Sequence, residues 1–358
     1  MNDFDEYIRQ GEPNKKEKSY VWQTAIGLQQ VDGLKPSAYL IETAKQHIEG
    51  DITFAEVKSH IDSYYKTLTR KQATPDERTE EADKVSARIA EILSEKTFSF
   101  SPAEYLNIHK RLFTGIYKFA GKIRDYNITK AEWVLNGETV LYASALNLRE
   151  TLGYDFKEEK AFDYKGLSQL QIVEHIARFV AYLWQIHIFG EGNTRTTAVF
   201  LIKYLRKLGF KNINNDLFAE HSRYFRNALV RAHYQDITQG IHKTDKYLIR
   251  FLSNLLLDEN HILKNRELHI GFVASANAEV NVGKASEKHR RNVGEMSDRQ
   301  NKILEIITAN KTISALQLSE LLNTTARTIE RDIKKMREMT IIERIGGDRG
   351  GYWKIKQV

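Results

Sequence analysis

The sequence predicts a mainly α fold that ends in a small winged helix domain. Three observations lead there. Apolar residues recur at helical spacing over long stretches, most clearly at Ile172, Ile176, Phe179, Val180, Leu183 and Trp184. Only four prolines interrupt 358 residues, so long helices are easily accommodated. Residues 297–358 read as three helices followed by two short strands around a glycine-rich turn.

At this length a chain usually divides into two or three domains. There is no cysteine, which excludes disulfides, thiolate chemistry and cysteine-based zinc sites. The polar, acidic start lacks the basic and apolar segments of a secretory leader, and no run of 18 apolar residues occurs. The expectation is a cytoplasmic protein without membrane contact. The formal charge of +7 fits either an anionic partner or simple solubility.

Four segments follow along the chain: 1–70, 71–272, 273–296 and 297–358. In the first, Trp22, Ile26 and Leu28 precede the turn at Gly33 and Pro36. Tyr39, Ala44 and Ile48 mark a short helix stopped at Gly50, and Thr53 caps another carrying Val57, Ile61 and Tyr64. The charged stretch Lys71 to Asp83 reads as a linker or an exposed helix start. Ser101-Pro102-Ala103-Glu104 opens a helix with a serine cap and proline in the first turn. Around Asn136-Gly137, the runs Trp133-Val134-Leu135 and Thr139-Val140-Leu141-Tyr142 predict a β-hairpin over 128–143. Two apolar helices then flank the break at Gly190–Thr194, the first over Leu167–Phe189 and the second from about Thr196 to Leu208. Further helices are expected at 221–235 and 244–262. Residues 273–296 are small, polar and basic, as in an interdomain linker.

The break between the two apolar helices carries the chemistry: His187-Ile188-Phe189-Gly190-Glu191-Gly192-Asn193-Thr194-Arg195. A helix N-terminus leaves amide N–H groups unpaired and is partly positive, so a glycine-containing turn entering a helix suits phosphate. Arg195 adds a charged fork matched to phosphate oxygens. Glu191 beside phosphate calls for a bridging cation, and Mg²⁺ suits that role. His187, closing the first helix, is placed to take a proton from an attacking hydroxyl. The same pattern also describes a hydrogen-bonded core histidine beside an ordinary helix cap.

This stretch resembles the motif of Fic-domain proteins, H-x-F-x-(D/E)-G-N-G-R-x-x-R. His187, Phe189, Glu191, Gly192, Asn193 and Arg195 match; Thr194 stands in place of glycine and Ala198 in place of the final arginine. Ile108-His109-Lys110-Arg111-Leu112-Phe113 and Tyr117 to Arg124 resemble the segment upstream of the family's substrate-binding flap, so that residues 85–260 look like a Fic core. The resemblance implies a helical core with a β-hairpin flap. It further implies transfer of AMP from ATP to a protein hydroxyl, with self-modification included. His187 would be the base and Glu191 the Mg²⁺ ligand. Gly190, Gly192, Asn193, Thr194, Arg195 and Tyr224 would hold the nucleotide, and Trp133, Val134 and Leu135 would dock the target protein. The alternatives are phosphotransfer, or a catalytically weak Fic scaffold acting as a DNA-binding regulator. The two departures leave competence open: Thr194 brings a Cβ into the turn, where its hydroxyl can serve as a cap, and Ala198 removes a cation.

Many relatives are autoinhibited by a helix with the pattern (S/T)-x-x-x-E-(G/N). The counterpart here is Leu28 to Gly33, with Asp32 as the regulatory acid. Because the final arginine is absent, the expectation is a cover that acts sterically, without an acid–arginine pair.

Residues 297–358 hold twelve Lys and Arg against eight Asp and Glu, a surplus of four positive charges. Arg327, Arg331 and Lys334 share one helix face that could enter a DNA major groove, with the Arg344–Arg349 wing on backbone. This unit resembles the winged helices of bacterial transcription regulators; a protein-binding winged helix is the competing reading, and a homodimer is left open.

Overall fold

The computed structural model describes residues 4–70, 77–210, 213, 216–272, 298–322, 326–338, 341–345 and 352–355. They form two compact units, Met1–Val273 and Ala274–Val358.

The first unit is helical: α1 Asp5–Gln10, α2 Pro13–Gly27, α3 Ala38–Glu49, α4 Phe54–Arg70, α5 Glu77–Ser94, α6 Pro102–Phe113, α7 Leu148–Ala161, α8 Gln169–Ile186, α9 Asn193–Lys207, α10 Asp216–His233 and α11 Lys246–Leu256. Three of these starts have a local cause in a capping side chain. Ser37 and Ser101 accept backbone N–H groups of the first turns of α3 and α6, and Ser168 with Gln171 forms a reciprocal capping box on α8. Such a cap is worth about 1 kcal/mol. No described helix is long and apolar enough to cross a membrane.

The first seventy residues share one hydrophobic core with the helices that follow. Trp22, Ala25 and Leu28 from α2 and the turn after it are completely buried beside residues of α5 and α10. At Gly27 the backbones approach so closely that a Cβ would lie 2.3 Å from the Cα of Ala219. Ser222 Oγ donates to the Gly27 carbonyl at 2.8 Å. The chain then continues as a 3₁₀ turn, Leu28–Asp32, laid against α9 and α10.

Two expectations change. The stretch ending at Asp83 is not an exposed helix start: within α5, Glu81 and Asp83 are buried. Asp83 receives the Ser37 N–H at 2.8 Å and hydroxyls of Ser37 and Tyr65 at 2.5 and 2.7 Å, which fastens α3 and α4 to α5. The segment 128–143 has no strand. Trp133–Leu135 is a 3₁₀ turn, and the Asn136-Gly137 step takes the left-handed conformation that its sequence favours. The strands fail because Glu132, Val134 and Leu135 are all drawn inward. Arg226 pairs with Glu132 at 2.6 Å, and Ile270 N–H donates to the Val134 carbonyl at 2.8 Å, so the alternation of a two-faced ribbon is lost.

The second unit holds α12 Asp298–Ala309, α13 Ala315–Leu321, α14 Ala326–Glu338 and the antiparallel strands β1 Ile342–Ile345 and β2 Tyr352–Ile355, with Ile342 opposite Ile355. Ile303, Ile307, Leu318, Ile329, Ile333, Met336 and Trp353 build its core. The linker 273–296 and the turn Gly346–Gly350 with Arg349 lie outside the described residues.

Candidate active site at the start of helix α9

His187 closes α8 in the left-handed conformation, φ 49°. Arg124 holds it there: its Nε donates to the His187 carbonyl at 2.7 Å, and its Nη2 to Ile186 and Ala143 carbonyls at 3.3 and 2.6 Å. The carbonyls that end α8 are thus satisfied by one buried guanidinium that also grips the loop before α7. The imidazole packs on Tyr142, centroids 4.2 Å apart, and edge-on to Trp184. Neither ring nitrogen has a hydrogen-bond partner among the described residues. Burial, then the positive charges of Lys130, Arg226 and Arg124, holds its pKa well below the ordinary value. The ring is therefore neutral at physiological pH, the form a base requires.

The turn is shaped by its neighbours. Asn193 Oδ1 accepts from Phe189 N–H at 3.0 Å while its Nδ2 donates to the Phe189 carbonyl at 2.8 Å. Its side chain is a clamp on the turn, so any part Asn193 takes in an anion cradle comes from its backbone N–H. Gly192 caps α9 at φ 75°, and a Cβ there would strike the Phe113 ring at 2.4 Å, so glycine is required. Phe189 is fully buried and stacks on His109 at 3.6 Å. His109 Nδ1 receives Gly121 N–H at 2.8 Å, which places its proton on Nε2, 3.0 Å from the Glu191 carbonyl. Burial lowers the pKa of His109 to about 4, so this bridge is neutral.

Thr194 sits inside α9, since the helix starts three residues earlier than its apolar pattern suggests. Its Cβ meets ordinary helical backbone. Its hydroxyl does not cap the helix; it accepts from Trp184 Nε1 at 3.0 Å. Ala198 is completely buried.

Arg195 is 1% exposed. Its Nε pairs with Asp32 Oδ2 at 2.8 Å and its Nη2 with Glu81 Oε1 at 2.7 Å. Nη1 donates to Gln29 Oε1 at 3.0 Å, Nη2 also to the Tyr117 hydroxyl at 3.2 Å, and the guanidinium lies 4.8 Å over the Phe113 ring. This overturns the expectation of a cover lacking an acid–arginine pair. The pair exists, but Asp32 takes Arg195 rather than an arginine at position 198. A pocket of about 350 Å³ opens here, lined by Val31, Asp32, Arg78, Tyr117, Glu191, Arg195 and Arg226. Glu191 is half-exposed, with Lys130 Nζ 2.8 Å from its carboxylate. No cluster of three acidic or imidazole ligands occurs among the described residues. Glu191 would be the carboxylate here to hold a Mg²⁺ that shares phosphate oxygens, the ion neutralising their charge.

Other expected residues stand elsewhere. Tyr224 is buried and faces Arg250, Tyr247 and Glu267 rather than the pocket, because α10 turns this position into the core. Of the flap residues, only Trp133 is exposed, at 59%; Val134 and Leu135 are buried. Leu141, 84% exposed, takes their place on the loop surface. In α14, Arg331 and Lys334 are exposed opposite buried Ile329, Ile333 and Met336. The side chain of Arg327 lies outside the described residues, and Arg344 stacks on Trp353 at 4.8 Å. Glu81, Gln29, Lys130 and Arg226 escaped sequence reasoning, since nothing local marks a residue whose partner lies 114 or 166 positions away.

The Fic/DOC family model matches residues 99–205, and an HTH domain model matches residues 299–353. Residues 99–205 are therefore similar to Fic/DOC domains and residues 299–353 to helix-turn-helix domains, and the first match supports a transferase of the Fic type. Three solved structures are similar. The N-terminal FIC domain of Bep8, a VirB-translocated effector protein of Bartonella sp. 1-1C, aligns at 18% identity and TM-score 0.39, over 49% of this chain and 82% of that one. A Fic family protein from Desulfovibrio desulfuricans G20 aligns at 12% identity and TM-score 0.41, over 99% and 94%. The N-terminal Fic domain of an effector protein of Bartonella sp. AR 15-3 aligns at 16% identity and TM-score 0.36, over 50% and 82%.

Proposed function

We propose that this protein transfers AMP from ATP to a hydroxyl of a protein target, itself included, and that the structure represents its self-covered form. The observation that carries the reading is the pocket at the start of α9, lined by Arg78, Arg195 and Arg226 with Glu191, in the same turn as a buried and neutral His187. The target hydroxyl would attack the α-phosphorus as His187 takes its proton. The new oxygen–phosphorus bond forms as the bond to the β-phosphate oxygen breaks, and pyrophosphate leaves. Arg195 and the first amides of α9 would hold phosphate oxygens. Mg²⁺, held by Glu191, would neutralise phosphate charge. Trp133 and Leu141 would meet the target chain.

Covering follows from charge. Asp32 occupies the guanidinium edge that a phosphate oxygen would take, and Arg78 Nη2 donates to the Asp32 carbonyl at 3.0 Å. The HTH domain, with Arg331 and Lys334 exposed on α14, favours a second reading in which a weak Fic core serves a DNA-binding regulator. Mass spectrometry of the full chain after incubation with ATP and Mg²⁺ separates these. An AMP adduct absent from His187→Ala supports AMP transfer, and a phosphate adduct points to phosphotransfer. No adduct together with salt-sensitive DNA binding favours the regulator.

A further inference from the structure

We infer that Arg226 is a phosphate-reading residue, supplying from α10 the positive charge that Ala198 does not supply from α9. The inference rests on the nucleotide reading above and goes beyond it in assigning the missing cation.

Ala198 is completely buried and carries no charge, so α9 supplies no second cation from that position. Arg226 lines the same pocket as Arg195 and Glu191. It also stands near enough to His187 for its charge to act on that ring, together with Lys130. Arg195 bounds the pocket where Asp32 of the N-terminal module meets it, and Arg226 bounds it where Glu132 and Tyr142 link it to the His187 ring. The side chain is prepared for this. Its Nη1 and Nη2 meet the two carboxylate oxygens of the completely buried Glu132 at 2.6 and 3.0 Å. Glu132 also accepts the Tyr142 hydroxyl at 3.3 Å. A guanidinium has five N–H donors in a fixed plane, so a carboxylate behind it fixes its orientation and leaves donors for a ligand in front. Tyr142 in turn stacks on His187, so Arg226, Glu132 and Tyr142 tie the cation to the base through packed side chains.

The test measures ATP and adenosine binding by calorimetry in the full-length Asp32→Ala protein, then in the same protein with Glu132→Gln, with Arg226→Gln/Glu132→Gln, and with Arg226→Lys. The Glu132→Gln partner avoids leaving a buried carboxylate unpaired. Losing a charge-assisted contact should weaken ATP binding by about ten- to a hundredfold in Arg226→Gln/Glu132→Gln relative to Glu132→Gln. Adenosine binding should stay unchanged, and Arg226→Lys should recover part of the loss. Equal ATP affinity with and without Arg226 overturns the inference alone, and so does a parallel loss for adenosine, which marks a structural role. Absence of ATP binding in Asp32→Ala overturns it together with the nucleotide reading.

Discussion

Arg195 and Asp32 meet at 2.8 Å, joining the first turn of α9 to a residue from the N-terminal module. Burial disfavours the guanidinium charge, yet Asp32, Tyr117 and Glu81 hold its pKa above the ordinary value. The turn is thus stabilised in a form whose cation is already engaged. Asp32→Ala should release it, raising ATP affinity and adduct formation. A coupling of about 1–3 kcal/mol corresponds to about 5- to 150-fold. Glu81, Gln29 and Tyr117 keep Arg195 in place, so the variant should stay folded. Calorimetry and adduct mass spectrometry on wild type and variant check this; equal values would remove the covering role.

The histidine predicts a pH profile. His187 must be neutral to accept a proton, and its pKa lies well below the ordinary 6.5. Neutral base is therefore present above that depressed value and is lost only as pH falls through it. The rate of adduct formation under kcat/KM conditions should stay level from pH 8 to about 6.5, with its acid limb lower still. An acid limb centred at 6.5 would show a solvated imidazole instead.

Thr194 is where the motif departs, and its hydroxyl is built into the packing. Thr194→Gly would restore the family residue but remove the acceptor of a buried indole N–H, costing about 1–3 kcal/mol, with up to about 1 kcal/mol more for glycine in a helix. Thr194→Ser keeps the acceptor and should unfold close to wild type. Denaturant unfolding of the three proteins measures the difference.

For the C-terminal unit, exposed Arg331 and Lys334 should act on DNA phosphates. Arg331→Ala/Lys334→Ala should weaken DNA binding and reduce the salt slope by about 1 for each phosphate contact removed. Folding should be unchanged, because Ile329, Ile333 and Met336 on the opposite face carry the core. Salt-titrated anisotropy with a random duplex reads both; an unaltered slope would point to a protein partner.

Some of this was legible in one dimension. His187 to Arg195 is a contiguous turn, so its glycines, base and cation can be read from neighbours. The capping serines at 101 and 168 and the apolar stripe of α8 are equally local. Trp133–Leu135 misled, because β-propensity describes a half-buried ribbon, and here Arg226 pulls Glu132 inward. Tyr224 misled for a related reason: a place on the right helix does not say which way that helix faces.

The sequence by itself determined the His187–Arg195 turn between two apolar helices, because the backbone angles and donors of a helix start depend on residues a few positions apart. It also determined the C-terminal winged helix, through periodicity and turn residues, while the Fic-like region was legible only through its motif resemblance. Only the tertiary structure decided what Arg195 touches. In the chain Asp32 reads as a regulatory acid with no arginine to meet, Glu81 as an ordinary surface acid, and the start of α5 as a charged linker or exposed helix start. Folding α2 onto α5 and α10 brings both carboxylates to one buried guanidinium. That pairing depends on packing across more than a hundred residues, where no local pattern carries information.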